Sequence, residues 1–340
     1  MSRPRMPSHN ALRAALGLLM AVILTLPAIA ASAEAVTQPA QPATVPGGSD
    51  YPIAAVDRVQ VGDEPEGAWV FTPRGATPEQ LDASPVVLFV HGFLALDPKI
   101  YGGWIAHLVR RGNIVIYPDY QTRNPLADPP DRYVVNLFAG TRAAIQHLQE
   151  LGARSIRDKR FHVVGHSLGG LLAVRYAQEA GSLNFPTART LMVVQPGGCA
   201  ECGTLGDTDI LERPLPSDLL AQVLVGSDDT AVGDSDARAI WPLFDALPAG
   251  QRDYVTVISD AHGTPPLVAD HDMVGTTGAR GEEDAMDWYA LWRPFDALIA
   301  CAETGTSCST ALGNTAAHRD MGRWSDGTPV TPLQITDGPP

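Results

Sequence analysis

Ser167 stands in Phe161-His-Val-Val-Gly165-His166-Ser167-Leu168-Gly169-Gly170, an apolar run that reads as a strand, then G-x-S-x-G, then a helical stretch from Leu171 to Ala180 closed by Gly181. Glycines two positions before and two after a serine are what a strained strand-to-helix turn requires, because side chains there would collide. Such a turn projects the hydroxyl from the sheet edge, and the amides opening the next helix favour negative charge developing beside it. The chemistry is nucleophilic attack by Ser167, which needs a base to take its proton. Histidine suits that task near neutrality, and a buried aspartate can hold its tautomer and stabilise the imidazolium. Both residue types follow downstream: Asp228 and Asp229 after Gln222-Val-Leu-Val225-Gly226, Asp260 and His262 after Tyr254-Val-Thr-Val-Ile258, and His271 in Ala269-Asp270-His271-Asp272. Asp260, His262, Asp270, His271 and Asp272 also admit a zinc or calcium reading. Their spacing matches no helical H-x-x-x-H and the serine chemistry already employs one histidine, so no metal and no cofactor is assigned.

The strand, G-x-S-x-G and helix in succession resemble the nucleophile elbow of the α/β-hydrolase family. Val86-Val-Leu-Phe-Val90-His91-Gly92-Phe93 looks like that family's oxyanion loop, and the resemblance implies that the backbone amides of Phe93 and Leu168 would bind a tetrahedral oxyanion. His91 and His166 read as structural hydrogen-bonding residues. The family order of serine, acid and histidine implies Asp229 as the acid, because Gly226 to Asp229 matches its common G-x-x-D, with Asp228 as the alternative. The same order places the base just past the last strand, at His262, with His271 as the rival because the intervening loop can fold either ring back. The likeness spans about residues 54 to 302.

These residues need elements to carry them. From about Val56, short β-branched runs alternate with longer helical patterns, which argues for a mainly parallel twisted sheet with helices on both faces. Strands are expected at Val56–Val61, Trp69–Thr72, Val86–Val90, Ile114–Tyr117, Phe161–Val164, Thr190–Val194, Gln222–Val225 and Tyr254–Ile258, the first two as an antiparallel hairpin at the sheet edge. A helix over about Asp131 to Leu151 puts Phe138, Ile145 and Leu148 on one stripe. A later one, Glu283 to Ala302, carries Trp288, Tyr289, Trp292, Phe295 and Ile299 and is expected to kink near Pro294. In many members of that family a helical cap is inserted between the strand after the elbow and the acid strand; here only residues 196 to 220 are available for one, so the lid is expected to be small or absent.

Among 340 residues, 24 Lys plus Arg face 38 Asp plus Glu, the wrong sign for covering a phosphate backbone or an anionic membrane surface. Nucleic acid is therefore excluded as a partner, and no obligate protein partner is indicated. Arg3, Arg5 and Arg13 precede an apolar run, Ala14 to Ala31, interrupted by Pro27 and ending in Ala31-Ser32-Ala33. Residues 1–33 read as a secretory signal peptide, whose removal takes the net charge from −14 to −17. Residues 34–50 read as a flexible leader and 51–340 as a single domain with its core at about 54–302. In the tail, 303–340, Trp324 is the candidate anchor. Cys199, Cys202, Cys301 and Cys308 all lie in the exported part, where two disulfides are expected. Four cysteines allow three connectivities. The local pairs are favoured only by closeness in the chain, and a zinc or redox C-x-x-C reading competes.

The expected function is a secreted serine hydrolase cleaving carboxylic esters, an esterase or lipase acting on small-molecule, lipid or polymer esters through an acyl-enzyme on Ser167. Alternatives are an acyltransferase on the same triad, a cutinase-like polyesterase, and a catalytically silent binding protein with the same fold.

Overall fold

A computed structural model describes residues 35–44, 46–124, 129–156, 160–198, 208–277 and 281–340. The proposed signal peptide, Cys199 and Cys202 lie outside the described residues. No described helix is long and apolar enough to cross a membrane.

Nine strands form one sheet: β1 (Val56–Val61), β2 (Ala68–Pro73), β3 (Val86–Val90), β4 (Ile114–Pro118), β5 (Phe161–His166), β6 (Ala188–Val194), β7 (Leu220–Gly226), β8 (Arg252–Val257) and β9 (Gln334–Thr336). Their order across the sheet is β1-β2-β4-β3-β5-β6-β7-β8-β9. The six strands from β4 to β8 run parallel, and β1, β2 and β9 add antiparallel margins. Every residue of β3, β4 and β5 is buried, as expected of parallel strands covered on both faces.

Because successive strand residues point to opposite faces, neighbours in sequence enter different cores. Val86, Leu88 and Val90 of β3 join Leu81 of helix α1 (Pro78–Ala83) and Leu137, Phe138, Ile145 and Leu148 of helix α3 (Tyr133–Glu150) in one cluster. Val87 and Phe89 join Trp104, Leu108, Trp292 and Phe295 in the other. The first face is covered chiefly by α3 (Tyr133–Glu150), α4 (Leu168–Glu179) and α5 (Ser235–Asp245). The second is covered by a shorter helix, α2 (Gly102–Arg110), and by a wide π-helical turn, Met286–Trp292, that runs into a helix at Arg293–Thr304. Of the aromatic stripe expected there, Trp292, Phe295 and Ile299 are core and Trp288 and Tyr289 are partly buried against it, but the irregularity falls before Pro294, which sits in the first turn of the α-helical part, where its missing N–H costs nothing.

Two segments read as loose are docked. The leader was expected to be flexible, yet its backbone and side chains are tied to the body: the Gly47 amide donates to Asp296 Oδ2 at 2.9 Å and Thr264 N donates to Val36 O at 2.9 Å. Gly47 and Gly48 are buried. The tail ends in β9, which pairs with β8 through Val255 and Ile335. Trp324 is the anchor its sequence suggested, 1% exposed, and its indole Nε1 donates to Asp260 Oδ2 at 3.3 Å. The same oxygen accepts from Thr331 N and Oγ1 at 2.8 and 3.0 Å. Cys301 and Cys308 are disulfide-bonded, the local pairing, at the end of the last long helix.

Asp260 is thus the buried clamp of the tail. Burial pushes its carboxyl up, but the Thr331 amide and the other donors outweigh this and hold it below the ordinary value. Losing hydrogen bonds to a charged group costs about 1.5–3 kcal/mol, so Asp260→Ala should lower unfolding stability by about that amount in urea titrations and expose the tail to protease. A depressed carboxylate stabilises fully above its unfolded pKa and stops doing so as pH falls through the folded one. The stability gap between the natural protein and Asp260→Asn should therefore be largest near pH 6 and narrow below about pH 4.

Candidate active site

The C-terminal ends of β3, β5, β6, β7 and β8 lie along one edge of the sheet, and the order reverses beside β3, the place where open α/β sheets bind ligands. Ser167 follows β5 directly and precedes α4, with φ 56° and ψ −126°. A non-glycine residue rarely adopts positive φ, and such strain persists only where the surroundings over-determine it. Those surroundings are unusually close. A Cβ on Gly165 would lie 2.1 Å from Gly169 O, and one on Gly169 would lie 2.2 Å from both Val90 O and His91 O. The turn is pinned by Ser167 N donating to Val194 O and Gly170 N to Ser167 O, each at 2.9 Å. The two glycines of G-x-S-x-G are therefore consequences of packing the elbow against β3 and its own helix.

His271 Nε2 lies 3.0 Å from Ser167 Oγ, and its Nδ1 lies 2.8 Å from Asp229 Oδ2. The Asp229 side chain is fully buried and that of His271 is 18% exposed. Asp229 Oδ1 accepts from the amides of Ala231 and Val232, both at 3.0 Å, so one oxygen fixes the carboxylate and the other meets the imidazole. With Nδ1–H donated to Asp229, Nε2 is left as the acceptor facing the serine hydroxyl. Asp228, the alternative acid, is exposed, and its amide donates to Ala269 O at 3.1 Å.

His262 is not at the elbow, and the expectation that it is the base is corrected. Its Nε2 pairs with Asp326 Oδ2 at 2.8 Å, both side chains 39% exposed, and its ring lies beside Trp324. The reason is an excursion of the chain: after β8, Asp260 and Leu267 form an antiparallel bridge. That bridge carries His262 out to the tail and returns residues 269–271 to the serine. Asp260, His262 and His271 thus serve three separate tasks and do not converge as the metal reading would need.

Leu168 N opens α4, where the first amides have no intrahelical acceptor. Phe93 follows Gly92, whose Cβ position lies 3.3 Å from Ser167 Cβ. The turn there is closed by Ala95 N donating to Gly92 O at 3.0 Å, and by Leu94 N donating to Gln121 Oε1 at 2.9 Å. Both amides expected to face an oxyanion thus belong to segments abutting the serine. His91 is structural: fully buried between the rings of Tyr117 and Tyr120, it is pushed down to about 4 by burial and stays neutral.

Sequence reasoning passed over Tyr101, Gln121 and Gln195, which support these loops from within the molecule and stand in no recognisable motif. A model of the alpha/beta hydrolase family matches residues 87–328, a span that runs from β3 into the tail and encloses Ser167, Asp229 and His271. No curated protein matches the chain. On the strength of that match, which covers most of its length, the chain belongs to the alpha/beta hydrolase family.

Proposed function

We propose that the protein is an exported serine hydrolase of carboxylic esters. The observation that carries this reading is the continuous line from Asp229 through His271 to Ser167, with hydrogen bonds of 2.8 and 3.0 Å. Ser167 Oγ attacks the ester carbonyl while His271 Nε2 takes its proton, and Asp229 stabilises the imidazolium that forms. Charge on the carbonyl oxygen is met by the amides of Phe93 and Leu168 and by the N-terminal end of α4. His271 then returns the proton to the leaving alkoxide, which departs as alcohol. Water, activated by the same imidazole, attacks the acyl-enzyme and releases the acid.

Exposed apolar side chains at Phe93 and Leu94, 46% and 38% accessible, lie next to the proposed oxyanion amide and support an ester with an apolar acyl or alcohol portion. The basic, then apolar, then A-x-A segment of residues 1–33 supports export.

Hydrolysis of p-nitrophenyl esters from acetate to palmitate tests the reading. Loss of a triad member typically costs on the order of 10⁴-fold or more in kcat, so Ser167→Ala and His271→Ala should each fall by at least that factor. Asp229→Asn should fall by about 10⁴-fold, because it stabilises the wrong tautomer. His262→Ala should stay within about threefold, since its ring serves the tail, while losing some stability. Turnover surviving in Ser167→Ala, or a His262→Ala loss matching that of His271→Ala, would overturn the assignment. A fluorophosphonate should label the natural protein and leave Ser167→Ala unlabelled, which intact mass spectrometry reads directly.

A further inference from the structure

His166 and Gln195 have no part in the bond-making steps above, yet both are buried and both reach the loop that carries His271. His166 is 2% exposed and Gln195 fully buried. His166 Nε2 lies 3.1 Å from the backbone carbonyl of His271, and its ring centroid is 4.8 Å from that of His271. Since a carbonyl can only accept, Nε2 carries the proton, and Nδ1 is the acceptor for Tyr101 OH at 2.9 Å. The Tyr101 oxygen in turn accepts from Gly92 N at 3.0 Å. The directions are therefore fixed along one line: Gly92 N–H to Tyr101, Tyr101 O–H to His166, His166 N–H to the His271 carbonyl. That line joins the loop after β3 to the loop after β8 by way of the elbow residue next to the nucleophile.

Gln195 acts on the adjoining peptide. Its backbone has φ 45°, and its side-chain amide donates to Asp270 O. One residue earlier, Ala269 O accepts from Asp228 N at 3.1 Å. Three consecutive carbonyls, of residues 269, 270 and 271, are thus held by donors from the ends of β7, β6 and β5 respectively. Space for this clamp is reserved in the sequence. A Cβ on Gly226 would lie 2.2 Å from Ala269 O and 2.8 Å from Gln195 Nε2, and one on Gly92 would lie 3.2 Å from His166 Nδ1.

We infer that His166 and Gln195 are positioning residues that hold the backbone of His271 in register with Ser167, and that Tyr101 couples His166 to the oxyanion loop through Gly92. The inference rests on the triad reading above. The imidazole reaches Ser167 and Asp229 at once only if its own main chain is fixed, and the segment that delivers it has left the sheet after β8. Displacement by about 1 Å at a reacting group can cost on the order of 100-fold in rate. The effect belongs in kcat, because the clamp touches the base and not the surface where substrate rests.

The experiment is steady-state hydrolysis of p-nitrophenyl butyrate by the whole purified protein. His166→Leu removes the donor and should lower kcat by about 30- to 100-fold with KM within about twofold. His166→Gln, whose Nε2 can replace the lost donor, should recover at least about tenfold of that. Tyr101→Phe and Gln195→Met should each lower kcat by about tenfold. The far-downfield proton resonance of the His271–Asp229 hydrogen bond should persist in His166→Gln and be lost in His166→Leu. Folded His166→Leu with kcat within threefold, equal losses in the Leu and Gln variants, or a change in KM alone would overturn the inference. If His166→Leu does not fold, Gln195→Met decides in the same way. Ser167→Ala in the same assay separates the two readings. Activity surviving there removes the triad and the clamp together, whereas an inert Ser167→Ala beside a fully active His166→Leu or Gln195→Met removes the clamp alone.

Discussion

Everything at the sheet edge depends on the backbone of one residue, Ser167, held at positive φ between a strand and a helix. Such a conformation is unfavourable for serine by itself. It persists because the elbow is wedged where no other arrangement fits, with Gly169 against the carbonyls of Val90 and His91 and Gly165 against the carbonyl of Gly169. Those carbonyls belong to the end of β3 and to α4. The parallel pairing of β3 with β5, which places Val90 opposite Gly165, therefore has to be in register for Ser167 to be presented at all.

The sheet contributes more than a platform. A parallel sheet brings the same end of every strand to one edge, and here each of five strands delivers a different part: Gly92 and Phe93 after β3, Ser167 after β5, Gln195 after β6, Asp229 after β7 and His271 after β8. The two cores make that edge rigid. Alternate residues of each strand from β2 to β8 enter opposite apolar clusters, so a one-residue slip of any of these strands would drive its buried set to the wrong face. Registry set by packing becomes registry of the groups of the proposed site.

What was legible in the sequence follows from the range of each interaction. Strand positions and the elbow are local patterns, and β1 and β3 fall where alternation and apolar runs place them. Asp229 is implied by the family's G-x-x-D pattern, and in the structure its carboxylate is fixed within three residues by the amides of Ala231 and Val232. The sequence alone prefers His262 to His271, because the placement depends on the bridge between Asp260 and Leu267 and on Asp326, which lies 64 residues beyond His262. The leader and β9 were misread or missed for the same reason. A Pro- and Thr-rich segment carries little apolar signal of its own, and these segments are ordered by partners such as Asp296 and Tyr254 that stand far away in the chain.

Another relay of carboxylate, imidazole and hydroxyl lies elsewhere in the molecule, and the comparison bears on what sets the proposed site apart. Asp296 Oδ2 lies 3.1 Å from His107 Nε2, and His107 Nδ1 lies 3.0 Å from Tyr51 OH, which also accepts from Gln41. Carboxylate, imidazole and hydroxyl are in line, as at Ser167. Here the hydroxyl is a phenol pushed up by burial and capped by a side chain of the leader, the His107 side chain is wholly enclosed, and the work done is to fasten residues 41 to 51 to the body. The Ser167 relay differs in two respects. Its hydroxyl is aliphatic and sits at a helix N-terminus, and its imidazole retains access to solvent. A proton relay alone is a tether; on the proposed reading, donors for the developing charge beside it are what fit it to attack on a carbonyl.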